Sequence, residues 1–205
     1  MAKINQIIQT QGYELIRNKT GEIIIIELFN QSALTYDEDL DATVYVERFI
    51  SVSHDEMPVI NISLANGTFD SFKQTNHDGK YIFNIDFYVN AISETDVNGN
   101  VIEADVSANF KLQKLMGVVK SIIMNPIYRT LDFAPPFIIG RTIDEMNIQD
   151  PNKFQEATSS VMGRLIMTVK CVETLELITP ILLQQNNTNV KLALTDKGFR
   201  YDFIN

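Results

Sequence analysis

Between Lys80 and Ile92 the chain alternates with a period of two. Tyr81, Phe83, Ile85, Phe87 and Val89 fall on one side, and Ile82, Asn84, Asp86, Tyr88 and Asn90 on the other. Large apolar residues at every second position share a face only in an extended strand, and that face must be covered. The other face is mixed, as in an antiparallel sheet packed on one side. A cover follows in sequence. Phe110, Leu112, Leu115, Met116, Val119, Ile122 and Ile123 recur at helical spacing over Asp105–Met124, Lys111, Lys114 and Lys120 lie mostly off that face, and Pro126 closes the helix.

Three more stretches read as strands. Val161–Leu175 sets Gly163, Leu165, Met167, Val169 and Cys171 on one face; Ala42–Ile50 alternates in the strand manner, Val44, Val46 and Phe49 against Tyr45 and Glu47; Met57–Leu64 opens with Pro58, which suits a strand's first residue. Residues 3–31 read as a helix through Ile4, Ile7, Ile8, Gln11 and Leu15. The run Ile23–Ile26 favours a strand on propensity, so residues 20–30 stay open between the two. Asn66–Gly79 reads as a polar loop with turn signals at Asn66-Gly67 and Asp78-Gly79, and 125–160 as irregular. Asn98-Gly99 reads as a hairpin turn folding back near Val101–Ala104. The predicted fold is α+β: an antiparallel (mixed) sheet of about four strands with helices on one face, plus extended hairpin arms. Residues 1–176 form the core domain. Residues 177–205, with a turn signal at Asp196-Lys197-Gly198, form a C-terminal hairpin arm.

Several chemistries find no footing. With 26 acidic and 17 basic residues among 205 the net charge is −9, the opposite of the basic face that wraps phosphates. No apolar run exceeds Ile23–Ile26, far short of the roughly 18 residues of a membrane span, so no membrane partner is expected. Phosphate-loop, dinucleotide and nucleophile-elbow patterns are missing, since no two of the nine glycines stand two apart and neither Gly-Lys-Ser/Thr nor Gly-x-Ser-x-Gly occurs. Asp37, Asp39 and Asp41 open like a calcium loop, but Ala42 and Arg48 occupy the positions that need Gly and Glu. Cys171 lies on an apolar face as a small hydrophobe. His54-Asp55-Glu56 and His77-Asp78 flank the second strand and are the residues from which a two-histidine metal site would be built. The expectation is a protein that is not an enzyme and carries no cofactor and no metal.

Three stretches carry a resemblance: GYELIRNKTGEIIIIELFNQ with the acidic linker after it; DEMPVINISLAN leading to GKYIFNIDFYVNA; and KLQKLMGVVKSIIMNPIYRTLDF with RTIDEMNIQDPN and GRLIMTVKCVE. In this layout the chain resembles bacteriophage tail terminator and head–tail neck ring proteins over residues 5–176. The resemblance implies a homo-oligomeric ring in the virion, sixfold or twelvefold, made in the bacterial host cytoplasm. It implies contact with other neck, portal or tail proteins, and passage of DNA through the lumen without specific binding. No catalytic residues carry over. On this reading Tyr88, Asn98, Gly99, Val190, Leu192, Phe199 and Tyr201 are candidate subunit contacts. Asp37, Glu38, Asp39 and Asp41, with Lys111, Lys114 and Lys120, are candidates for the lumen or for adjacent rings. A baseplate or sheath-adapter piece is the first alternative, and a small metal-dependent enzyme using His54 and His77 the second.

Overall fold

The computed structural model describes residues 12–70, 76–133, 137–149, 160–174, 185–191 and 198–204. The run of isoleucines is helical. Helix α1 (Tyr13–Thr35) buries Ile16, Thr20, Gly21, Ile23, Ile24 and Leu28, a stripe with helical spacing that sends Ile23 and Ile24 inward and Ile25 and Ile26 outward. Its N-terminal neighbours 3–11 lie outside the described residues. The helix ends where Tyr36 adopts φ 55°.

Strands β1 (Thr43–Val46), β2 (Val59–Asp70), β3 (Asn76–Asn90), β6 (Ile138–Gln149) and β7 (Ser160–Thr174) form one sheet in the order β1-β2-β3-β7-β6. β1 runs parallel to β2 and the other pairs are antiparallel, so the sheet is mixed. Between β3 and β6 come a two-residue ladder, β4 (Glu94–Thr95) with β5 (Val101–Ile102), and helix α2 (Ala104–Met124). α1 lies on β1 and β2 and α2 on β3 and β7, side by side on one face. Tyr81, Phe83, Ile85, Phe87 and Val89 meet Leu112, Leu115, Met116 and Val119 there, with Ile16, Ile24, Ile60 and Ile62 completing the core. The fold is α+β.

The chain divides into two compact units, Met1–Leu175 and Glu176–Asn205. In the second, β8 (Gln185–Lys191) and β9 (Gly198–Ile204) pair antiparallel. The turn signal Asp196-Lys197 and the candidate Leu192 lie outside the described residues.

The structure corrects the sequence reading at four places. The sheet has five strands among the described residues, because β6 occupies much of the region expected to be irregular. Asn66-Gly67 and Asp78-Gly79 are not turns but lie within β2 and β3. A Cβ on Gly67 would sit 3.1 Å from the Tyr81 ring and one on Gly79 3.2 Å from Cys171 Sγ, so both glycines make room for a neighbour rather than bend the chain. β1 stops at Val46. Glu47 turns out of the sheet at φ 52°, its carboxylate held by Arg17 at 3.1 Å and by the Leu64 N–H at 2.9 Å, and Phe49 is left in solvent. Phe110 is also exposed. The buried stripe of α2 continues toward its start through Ala108 and Ser107 instead.

The segment from Glu47 to Pro58 returns from the end of β1 to the start of β2 across the sheet face opposite α1 and α2. Asn61 holds it like a strand partner, accepting the Arg48 N–H at 3.0 Å and donating to the Arg48 carbonyl at 3.1 Å. Asn90 donates to the His54 carbonyl at 2.8 Å. An ion pair of Arg48 with Glu56 at 2.7 Å and a Ser53–Glu56 capping box close the strap. These contacts also decide the two-histidine alternative. His54 is tied to one end of β3 and His77 stands at the other end of the same strand, about 40 Å away at roughly 3.3 Å per residue. The two cannot share a metal.

Candidate interaction surfaces

The acidic run after α1 folds into a single 3-10 turn, Glu38–Leu40, because Leu40 is buried and Asp37 accepts the Asp39 N–H at 3.2 Å. That turn sets Asp37 and Asp39 against α2, where Lys111 and Lys114 stand nearly a helical turn apart. Lys114 Nζ pairs with the Asp37 carboxylate and lies 3.1 Å from Asp39 Oδ2. Lys111 Nζ lies 3.5 Å from Asp39 Oδ1 and 2.9 Å from Glu94 Oε1, and Ser107 also donates to Glu94 at 3.2 Å. The acidic linker and two of the three lysines, read from sequence as separate patches, therefore neutralise each other. Glu38 and Asp41 remain exposed. Lys120 is exposed too, half a turn around α2 from Lys111, so the three lysines do not form one stripe.

The hydrogen bond from Lys114 is the main reason that Asp37 titrates below the ordinary carboxylate range, and the bond and charge of Lys111 do the same for Glu94. Both lysines are raised, chiefly by the bonds to Glu94 and Asp37. The contribution of the depressed carboxyls is present above their unfolded values and lost as pH falls through their lowered folded ones. That of the lysines is lost only as pH rises through values above 10.5. Across neutral pH the junction is constant, and salt is the lever that weakens it. Exposed pairs add little to global stability, so the role is positional: Glu94 fastens the β4–β5 hairpin to α2. Lys111→Met is expected to speed amide exchange at residues 94–102 several-fold while shifting the melting temperature by no more than a degree or two. Exchange measured by mass spectrometry checks this, and unchanged protection of the hairpin refutes it.

At the hairpin tip the Asp96 carboxylate accepts the N–H groups of Asn98 and Asn100, each at 2.8 Å, and the Asn100 amide at 2.9 Å, while Gly99 takes φ 83°. Asn98 and Gly99 thus sit at an exposed turn, with Ile92, Val97 and Val101 exposed around it. Tyr88 lies elsewhere, half-buried in β3 on the face opposite α1 and α2. Its phenol is raised by burial first and by the Asp86 carboxylate second, with Arg164 opposing. Val190 pairs with Phe199 and Thr188 with Tyr201 in the β8–β9 ladder.

The face opposite α1 and α2 holds residues the sequence reading passed over. Asp86 is 5% exposed and receives a forked contact from Arg164, Nε at 2.5 Å and Nη2 at 3.0 Å. Asp144 accepts from Thr168 at 2.5 Å and Thr142 at 2.7 Å. Asp86 was visible as a charge at a strand position; that its partner would be Arg164 depends on the β3–β7 register.

The surface also exposes large apolar side chains. Ile25, Ile26 and Phe29 are neighbours on the outer side of α1 and are 51%, 55% and 73% exposed. Phe49 and Ile50 cap the strap, and Val106 and Phe110 lie on the outer side of α2. Among the described residues no helix is long and apolar enough to cross a membrane, and no group of three or more His, Cys, Asp or Glu is placed to hold a metal ion. No protein-family model matches the chain, and a search of curated proteins finds no match.

Proposed function

We propose that this chain is a structural subunit of a bacteriophage virion, not an enzyme, and that copies of it form a ring at the head–tail junction or on the tail, as a tail terminator or neck connector through which DNA passes. The observation that carries this reading is the apolar group Ile25, Ile26 and Phe29 on the outer side of α1. Three adjacent large side chains in water on one helix face form an apolar patch of the kind that a second chain covers. The layout of a sheet with two helices on one face supports it, as does an acidic chain, which lets DNA pass without adhering. With Asp37 and Asp39 engaged by lysines, Glu38 and Asp41 are the acids of that turn left to face a lumen or an adjoining ring. The β4–β5 and β8–β9 hairpins are the arms in this reading, meeting neighbouring subunits or portal and tail proteins.

Light scattering over a concentration series, with negative-stain images of the same sample, tests the reading. Rings with a hole of roughly 20–40 Å, on the scale of a DNA duplex, are expected. A strict monomer throughout, alone and in particles, overturns it. Ile26→Asp and Phe29→Ser are expected to raise the concentration for half assembly by at least about tenfold, since each removes roughly 1.5–3 kcal/mol of apolar burial per junction. Their melting temperatures should stay within a few degrees of the parent, because both side chains are exposed in the subunit.

A further inference from the structure

We propose that copies of this chain join edge to edge, the last residues of β6 in one copy adding as a strand to β1 of the next, so that one sheet continues from subunit to subunit; this rests on the reading of the chain as a ring subunit.

Among the described residues β1 and β6 are the two edges of the sheet. Register puts their exposed apolar residues on the same rows. One row runs Val46, Ile62, Ile85, Leu165, Met146, and a second runs Val44, Ile60, Phe87, Gly163, Ile148. Direct partners share a face of the sheet. Ile60, Ile62, Ile85, Phe87 and Leu165 are in the core, so the four edge residues lie on the side of α1 and α2. There Val46, Met146 and Ile148 are 40%, 43% and 46% exposed. Residues 146–149 lie beyond the last slip of the β6 ladder, at Ile143/Glu145, and are level with the whole of β1.

The backbone alternation fits the same pairing. Thr43 donates to the Pro58 carbonyl at 3.0 Å and Glu47 to the Ile62 carbonyl at 2.9 Å. The odd-numbered residues of β1 therefore bond β2, and Val44 and Val46 turn their backbone groups to the free edge. On the other side Val172 donates to the Phe137 carbonyl at 2.9 Å, so the even-numbered residues of β7 are the ones that bond toward β6. Asn147 opposite Arg164 and Gln149 opposite Met162 are then the bonded pairs, and Met146 and Ile148 turn their backbone groups outward. β1 is parallel to β2 and every later pair is antiparallel, so repeating the sheet in the same sense sets β6 antiparallel to β1. Val46 then faces Met146 and Val44 faces Ile148, each pair able to exchange both N–H···O bonds. Exposed edges are ordinarily blunted by charge, proline or a bulge. Neither Thr43–Val46 nor residues 146–149 contain a charged residue or a proline.

α1 supplies the cover for the joined strands. A Cβ on Gly21 would lie 3.2 Å from Val46 Cγ1, so that side of the helix rests on β1. Ile25 and Phe29 follow one and two turns later on the same flank, 51% and 73% exposed. Glu27, bonded to the Tyr128 hydroxyl at 2.6 Å, marks the flank toward α2, about 200° around the helix from Ile25. Ile25 and Phe29 thus overhang the edge where Met146 and Ile148 of the next copy arrive. Pairing β1 with itself would leave Met146 and Ile148 in water, and pairing β6 with itself would leave Ile25 and Phe29 there. The contact that covers both is head to tail, the kind that closes into a ring.

Two variants test it in the full chain. Ile148→Pro removes an N–H that bonds nothing inside the subunit, so the melting temperature should stay within a few degrees of the parent. The concentration for half assembly, followed by light scattering, should rise at least about tenfold. Thr43→Cys with Gln149→Cys places two exposed positions opposite each other at a non-bonded pair, about 4.5 Å between Cα atoms, within disulfide reach. Mild oxidation should then give a ladder of covalent multimers, while either cysteine alone gives single chains, Cys171 being buried. If that variant does not fold, Tyr45→Cys with Asn147→Cys, the neighbouring pair, replaces it. Dimers from a single-cysteine variant would mean that an edge pairs with itself, and would overturn the head-to-tail contact. Rings that form at the parent concentration in Ile148→Pro, or that yield no cross-links from either pair, overturn this contact and leave the ring reading intact. A parent chain that never associates overturns both.

Discussion

Replacing Arg164 with Ala is expected to cost about 3–5 kcal/mol, and replacing Asp86 with Ala clearly less, although the two side chains form one ion pair. The asymmetry comes from burial. The Asp86 side chain is 8% exposed and that of Arg164 30%. Without Arg164 the carboxylate is left inside the sheet face with no other described cation paired to it. Without Asp86 the guanidinium already reaches solvent and turns toward it, so about 1–2 kcal/mol is the expected loss. Arg164→Lys keeps the charge but loses the fork, two bonds of 2.5 and 3.0 Å, and should fall between. Against a total stability of about 5–15 kcal/mol, the Arg164→Ala loss lowers the melting temperature by roughly 10 °C. Urea denaturation of the three variants checks the order. Equal costs for the two alanine variants would sink the argument. A second readout separates electrostatics from packing. Arg164 opposes the upward push of burial and Asp86 on the Tyr88 phenol, so its removal should move that phenol's titration higher still. An unchanged Tyr88 titration would mean that the loss is packing alone.

The pair also shows where sequence stops being informative. The alternation from Tyr81 to Val89 could be read because the two faces of β3 differ, one fully covered by helices and one half-wet. The identity of Arg164 as partner follows from the β3–β7 register, set by both strands together. The same holds for Lys114 with Asp37 and Asp39. Each looked like a solvated charge alone, and burial of Leu40 is what folds the acidic turn onto α2. β6 was missed because it is an edge strand. Its ladder slips at Ile138/Gly140 and Ile143/Glu145 and most of it faces water, so no clean period of two survives. Gly67 and Gly79 misled for a different reason. A glycine beneath a ring and a glycine in a turn look identical in sequence, and the Tyr81 ring and Cys171 that make the difference are distant in the chain.

Gly163 is the sharpest instance, and it yields the other large effect. It sits in β7 under α2, where a Cβ would overlap Met116 Sδ and lie 3.1 Å from both Leu112 Cδ1 and Met116 Cε. Leu112 and Met116 are fully buried, so either can yield only by shifting within a close-packed core. In an unobstructed strand Gly→Ala would favour folding by about 0.4–1 kcal/mol, through lost freedom of the unfolded chain. Here the clash reverses the sign. Gly163→Ala is expected to cost about 1–3 kcal/mol and Gly163→Val more, by lifting α2 from β7 and β3. Gly117 supplies the control. It is the residue after Met116 on the same helix, nothing lies within 4 Å of an added Cβ, and Gly117→Ala should stabilise by up to about 1 kcal/mol. The mechanism is tested by a double-mutant cycle. Met116→Ala alone costs about 2–5 kcal/mol by leaving a cavity, but it removes the atom that the new Cβ would strike. In that background Gly163→Ala should be close to neutral, a coupling of about 1–3 kcal/mol. Strict additivity would mean that Gly163 is needed for its backbone and not for the space above it, and the close approach of α2 to β7 would then need another explanation.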